Sequence, residues 1–180
     1  MPTDIPAPWR GFLESLDTLL EEPVRLDCIA GFAVVMGYGL RRATNDLDYR
    51  TLNPYNLIND LQGIAGPASA LAKEYGVHLQ HTAVASMPEN YEDRLTELSP
   101  GYFKSLRLFI PDPYDLVLSK LSQNIERDRQ DVEYLAKTQQ LDPAVLRERY
   151  KELTLIGPQE QHDATLEFWL QAYFAKPRGQ

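Results

Sequence analysis

The chain has 180 residues, of which 43% are hydrophobic and 24% charged, the profile of a soluble globular domain with enough apolar side chains to bury a core rather than of a disordered chain. Asp and Glu number 26 against 18 Lys and Arg, a formal net charge of -8, so an unaided electrostatic grip on nucleic acid phosphates is not expected and any such contact has to be local. The single cysteine, Cys28, has no partner for an intramolecular disulfide, Met1–Pro8 has neither a basic nor an apolar leader segment, and no stretch approaches the roughly 20 apolar residues of a membrane span, so a cytoplasmic protein outside the membrane is expected.

Pro2, Pro6 and Pro8 make Met1–Pro8 a loose, extended start. Trp9–Glu22 then carries apolar residues at Phe12, Leu13, Leu16, Leu19 and Leu20, the spacing of one helical face. Val24–Ile29 reads as a strand; after a tight turn at Ala30 and Gly31, the apolar run Phe32–Met36 is a short helix ended by Gly37, Tyr38 and Gly39. Asp46–Leu52 alternates acid and apolar residues, the period of a half-buried strand, and Asn53-Pro54 stops it. Helices are expected over Tyr55–Gln62 and Pro67–Tyr75, a strand over Val77–Val84, and a loop with one helical turn over Met87–Pro100.

Leu106–Ile110 is a further strand, and Asp112-Pro113-Tyr114-Asp115 is a strong helix start, with an N-cap acid, Pro at the first position and an acid in the first turn. From there the chain reads as helical, with a second start at Asp142-Pro143 and a last helix after Gly157-Pro158 that ends near Phe174. The layout is α+β in one domain over 1–180: a small mixed sheet flanked by helices, then a helical C-terminal third from Asp112.

Two carboxylates at i and i+2 of a strand share a face while the residue between them points inward, so Asp46 and Asp48 serve one site with Leu47 in the core. Their oxygens are hard ligands suited to Mg²⁺, and phosphoryl and nucleotidyl transfer use such a pair to hold the metal that bridges substrate phosphates. A solvated strand edge is the plain alternative for an isolated D-x-D. Gly31 lets backbone approach a ligand closely, and free N–H groups at a helix start favour an anion, so phosphates can sit between that turn and the acids. Arg41, Arg42 and Thr44 add donors just upstream.

On the expected long helix, Lys120, Asn124, Arg127 and Asp131 are spaced by four, three and four residues and form one stripe if the helix is unbroken. The alternative is a solvated charged face, to which Glu126, Asp128 and Arg129 are assigned. Lys120 is expected to be partly covered, and a covered ammonium needs a carboxylate such as Asp48 or a bound phosphate within reach.

The run Gly31-Phe32-Ala33, followed by Tyr38-Gly39-Leu40, Arg42, Thr44 and Asp46-Leu47-Asp48, resembles the signature of the nucleotidyltransferase fold as it occurs in bacterial AbiEii-like toxins and their relatives. Leu106–Ala136 is similar to that family's strand, its lysine-bearing helix and its R-D-x-x-D segment. The resemblance implies a sheet of the nucleotidyltransferase type and a metal-dependent enzyme, with Mg²⁺ on Asp46 and Asp48 and an NTP bound through Gly31, Arg42, Thr44, Lys120, Arg127 and Asp131. It counts Lys120 with the two acids in catalysis and makes Arg127 a fork donor to phosphate, held by Asp131. It also implies a hydroxyl of an RNA or protein as acceptor, and a toxin with an antitoxin protein as partner.

One departure is visible. Many nucleotidyltransferases carry a third carboxylate on the following strand, and Val77–Thr82 has none, with His78, Gln80 and Thr82 on one face and His81 on the other. His78 is then the candidate base, or solvent deprotonates the acceptor hydroxyl, or the chain is a catalytically inactive nucleotide- or partner-binding protein. Any RNA contact is expected at a basic mouth of Arg41, Arg42, Lys104 and Arg107.

Overall fold

Trp9, Phe12, Leu13 and Leu16 recur at three- and four-residue steps, and in the computed structural model they form the buried face of helix α1 (Trp9–Leu19). The structure describes residues 5–82, 86–154 and 157–174. Two compact units make up the chain: Met1–Val84 with Leu95–Pro111, and Ala85–Arg94 with Asp112–Gln180. Of the loose start expected over Met1–Pro8, residues 1–4 lie outside the described residues, and Ile5 is buried.

In the first unit α1 is followed by β1 (Val24–Cys28), α2 (Ala30–Tyr38), β2 (Asp46–Asn53), α3 (Ile58–Ala65), α4 (Ala70–Tyr75), β3 (His78–His81), β4 (Thr96–Leu98) and β5 (Leu106–Ile110). The five strands form one mixed sheet in the order β3-β2-β1-β5-β4. β1 lies at its centre, antiparallel to β2 and parallel to β5, while β2 and β3 are parallel and β4 and β5 antiparallel. The loop expected over Met87–Pro100 therefore contains a strand, β4. Three residues are too few for a period to show in the sequence, and its pairing with β5 is what makes it a strand. The strand expected over Val77–Val84 is described only to Thr82; 83 and 84 lie outside the described residues.

The sheet buries one face through Leu26, Leu47, Tyr49, Leu52, Leu79 and Leu108. On β2 these buried positions are spaced by two and then by three residues. The reason is a bulge: Asp27 pairs with Thr51 but Cys28 with Tyr49, leaving Arg50 as the extra residue. Arg50 and Thr51 are both half-exposed, so Leu52 returns to the core rather than to solvent. Helix α2 is apolar on all sides and buries Phe32, Ala33, Val34, Met36 and Gly37. A Cβ at Gly37 would lie 2.0 Å from Cδ1 of Ile110, so the glycine sets how closely α2 packs on β5. The helix ends at Gly39, which adopts the left-handed conformation (φ 77°) and donates its N–H to the Val34 and Val35 carbonyls.

The second unit is built on α5 (Pro113–Ser119), α6 (Glu126–Thr138), α7 (Pro143–Tyr150) and α8 (Gln159–Tyr173). Asp112 caps α5 by accepting the Asp115 N–H at 3.0 Å, and Asp142 caps α7 by accepting the Ala144 N–H at 2.7 Å. The continuous helix expected after Asp112 is broken between Ser119 and Glu126, where Asn124 takes a positive φ of 47°. Ser122 and Asn124 are weaker helix formers, and Asp128 offers the new helix a start by accepting the Ile125 N–H at 3.3 Å. Asp115 is fully buried and satisfied by two arginines of the same unit, Arg94 at 2.8 and 3.1 Å and Arg149 at 3.1 Å. The fold is thus α+β: a mixed five-stranded sheet flanked by helices, with a helical C-terminal region. No helix among the described residues is long and apolar enough to cross a membrane.

Candidate active site

Leu47 is fully buried between two half-exposed acids, so the Asp46 and Asp48 carboxylates leave β2 on the same face. β3 runs beside them in parallel register, with His78 opposite Asp46 and Gln80 opposite Asp48. Neutral hydroxyls hold both acids: Thr44 Oγ1 donates to Asp46 Oδ1 and Thr82 Oγ1 to Asp48 Oδ1, each at 3.1 Å. Thr44 is itself buried, and its carbonyl accepts the Trp9 indole N–H at 3.0 Å. Trp9 packs edge-on against Phe32 of α2 with ring centroids 4.9 Å apart. A tryptophan on α1 therefore fixes the loop that delivers the first acid. Nothing in the sequence around Trp9 announces a contact 35 residues away.

The start of α2 is pinned to the second acid. Ile29, the residue before the helix, donates its N–H to the Asp48 carbonyl at 2.8 Å, and no side chain caps the helix behind it. Of the turn expected at Ala30 and Gly31, the left-handed conformation falls on Ala30 (φ 54°). Gly31 is the second residue of the helix, where N–H groups point out of the first turn and the helix carries partial positive charge. Arg42 is half-buried and Arg41 exposed in the segment between α2 and β2.

The basic mouth is smaller than expected. β5 runs parallel to β1 with Leu106 opposite Val24, which puts Lys104 and Arg107 toward the N-terminal end of β1, whereas α2 and the acids adjoin its C-terminal end. Five residues of strand separate the two ends by roughly 13–17 Å. Arg107 is forked onto Glu97 at 2.9 and 2.7 Å, and both Arg25 and Arg107 lie over the Phe109 ring, at 4.3 and 5.1 Å. The Lys104 backbone is held by Asp17, which also accepts the N–H groups of Ser105 and Leu106. Burial pushes the Asp17 carboxyl up, but the three backbone donors outweigh it and hold the group below its ordinary value. Asp27, unassigned in the sequence, is a buried carboxylate on β1 that accepts the Arg25 Nε–H at 2.8 Å.

In the helical unit, Lys120 is buried as expected, but the carboxylates it meets are its own neighbours: Asp131 at 2.7 Å and Asp128 at 3.2 Å. Lys120 follows the end of α5, so the four-three-four stripe does not exist as one helical face. The break lets the ammonium turn back onto α6. Asp128, read as a solvated surface acid, is buried there and serves both as the start of α6 and as a partner of Lys120. The spacing Asp128-x-x-Asp131 was the available signal, since i and i+3 share a helix face. Asp131 is fully buried and Arg127 exposed on the same helix.

Among the described residues, no group of three or more His, Cys, Asp and Glu side chains is placed to hold a metal ion. The donor set that suits Mg²⁺ is the Asp46–Asp48 pair, because this ion is commonly bound through one or two carboxylates and completes its shell with water and substrate phosphate. No curated protein and no solved structure matches the chain. A family profile matches residues 12–176, which covers the sheet, the acid pair and the helical unit alike, and the chain belongs to that family, described as a nucleotidyltransferase of unknown function (DUF6036).

Proposed function

We propose that the chain moves a nucleoside monophosphate from an NTP to a hydroxyl of an RNA or protein acceptor, with Mg²⁺ held by Asp46 and Asp48. The observation that carries this reading is the Ile29–Asp48 backbone bond, which joins an uncapped helix start to the strand bearing the two acids. When bound, Mg²⁺ would neutralise charge on the phosphates and make the α-phosphorus more electrophilic. Thr44 and Thr82 keep the two carboxylates oriented. The Gly31 N–H and the positive end of α2 receive phosphate oxygens, and Arg42 supplies a forked contact. The acceptor oxygen bonds to the α-phosphorus as the bond from that phosphorus to its bridging oxygen breaks, and pyrophosphate leaves with the electron pair. The acceptor proton passes to water or to His78, the imidazole opposite Asp46.

Within the helical unit, Lys120 is closed by Asp131 and Asp128 and so positions α6, the helix that carries Arg127. The resemblance to AbiEii-like toxins extends the reading to a cytoplasmic toxin restrained by an antitoxin protein, and it rests on the two motif segments alone. A second reading, binding without turnover, is favoured by Gln80 and His78 occupying β3 where a third carboxylate would stand.

Incubating the full chain with α-labelled NTPs, Mg²⁺ and a mixed RNA and protein pool distinguishes the two. Label transferred by the parent but not by Asp48→Asn supports the enzyme; Mg²⁺-dependent NTP binding with no transfer supports the binding protein. An absence of NTP binding rejects both.

A further inference from the structure

Where α1 ends, Leu19 is 52% exposed, and a cavity of about 270 Å³ opens between the end of that helix, the start of β1, and α3. Its walls are aliphatic: Leu19, Leu57 and Ile64 around the buried Leu61. Its volume falls just short of the roughly 300–1,000 Å³ of pockets that hold whole small ligands, a size suited to side chains of a peptide. Tyr55, 74% exposed, lies two residues before Leu57.

The rim has one sign of charge. Glu21, Glu22 and Asp60 stand on it, and no Lys or Arg lines the cavity. None of the three carboxylates has an ion-pair partner among the described residues, α3 has no basic residue, and α1 has none in its last turn. Glu21 and Glu22 follow the C-terminal end of α1, where the helix already carries partial negative charge and a cation, not an anion, is favoured. An apolar hollow ringed by unmatched carboxylates at a helix's negative end is complementary to one chemistry: an aliphatic group with positive charge on either side.

We propose that this cavity docks a segment of a partner protein in which an aliphatic side chain is flanked by Lys or Arg. The aliphatic group enters between Leu19 and Ile64, and the cations meet Glu21, Glu22, Asp60 and the helix end. A second copy of this chain fits poorly, since a symmetric contact would set the acidic rim against itself, and nucleic acid would be repelled. No residue of the cavity belongs to the nucleotide site, so the two readings stand or fall separately.

The test uses the full chain and two labelled, capped peptides, Lys-Leu-Arg-Lys-Leu-Lys and the same sequence with Ser for each Leu, read by fluorescence anisotropy. The Leu peptide should bind at least tenfold tighter than the Ser peptide. The double variant Glu22→Lys with Asp60→Lys should weaken it at least tenfold, and Leu19→Gln should reduce it toward the Ser peptide, with circular dichroism and Mg²⁺-dependent NTP binding unchanged. Equal binding of the two peptides would reduce the site to bare charge attraction and overturn the proposal. So would no binding at millimolar peptide, binding indifferent to the variants, or a dimer in sedimentation that Leu19→Gln dissociates.

Discussion

Asp46 and Asp48 on β2, and Lys120, Asp128 and Asp131 in the helical unit, are both tight groups of ionisable side chains, yet they are satisfied in different ways. The helical group is buried and closed, with one ammonium against two carboxylates at 2.7 and 3.2 Å. The strand pair is half-exposed, and a threonine hydroxyl orients one oxygen of each acid. Opposite charges brought together out of water make a scaffold that fails when either partner is removed. Two carboxylates side by side on one strand face favour a cation beside them.

Mutation separates the two groups most sharply when read on both scales. Asp48→Asn should abolish Mg²⁺-dependent nucleotide binding and any transfer, while changing unfolding free energy by less than about 0.5 kcal/mol, as befits one half-exposed charge; a urea titration beside the binding assay checks both halves. Lys120→Ala should do the reverse in kind, costing about 3–5 kcal/mol because two buried carboxylates lose their cation. An Ala variant as stable as the parent would end the claim that this group is structural.

A pH titration sharpens the contrast with a carboxylate whose role is purely to hold backbone. Asp17 sits below its ordinary value in the fold, so its contribution is present above the unfolded value of about 3.9 and disappears as pH falls through the lower folded value. Asp17→Asn should cost about 1–3 kcal/mol at neutral pH and should lose less stability than the parent between about pH 5 and about pH 3. The smallest expected effect is on the strand pair itself. Thr82→Val removes one neutral donor from Asp48 and should weaken divalent-ion affinity by about 0.5–1.5 kcal/mol with no change in fold, measured by calorimetry.

What could be read in the sequence follows the range of the interactions involved. The strand Leu106–Ile110, the Asp112 cap and the inward Leu47 between two acids are local patterns, and all three stand in the structure as read. Trp9 reaching Thr44 and Thr82 reaching Asp48 are long-range contacts that no period encodes. The break at Lys120 was local but masked, because an i, i+4 stripe continues on paper across Ser122-Gln123-Asn124 whether or not the helix does. The position of Lys104 depended on strand order, since only the β1–β5 pairing shows that it faces away from the acid end of β1.

The central place of β1 bears on how the chain must be made. Its antiparallel partner β2 follows within the same stretch of sequence, but its parallel partner β5 is the last strand of the sheet to be synthesised. Until Ile110 has left the ribosome, β1 presents an unpaired backbone edge flanked by Leu26 and Cys28, the kind of edge that recruits foreign strands. The segment Ala85–Arg94 is also made early and belongs to the later unit, so Arg94 waits for Asp115 to emerge. A fragment beginning at Asp112 would consist of α5 to α8, with one of the two arginines that meet Asp115 missing. Any dissection of this protein into halves has to carry residues 86–94 with the helices, which a cut of the linear sequence at Asp112 cannot do.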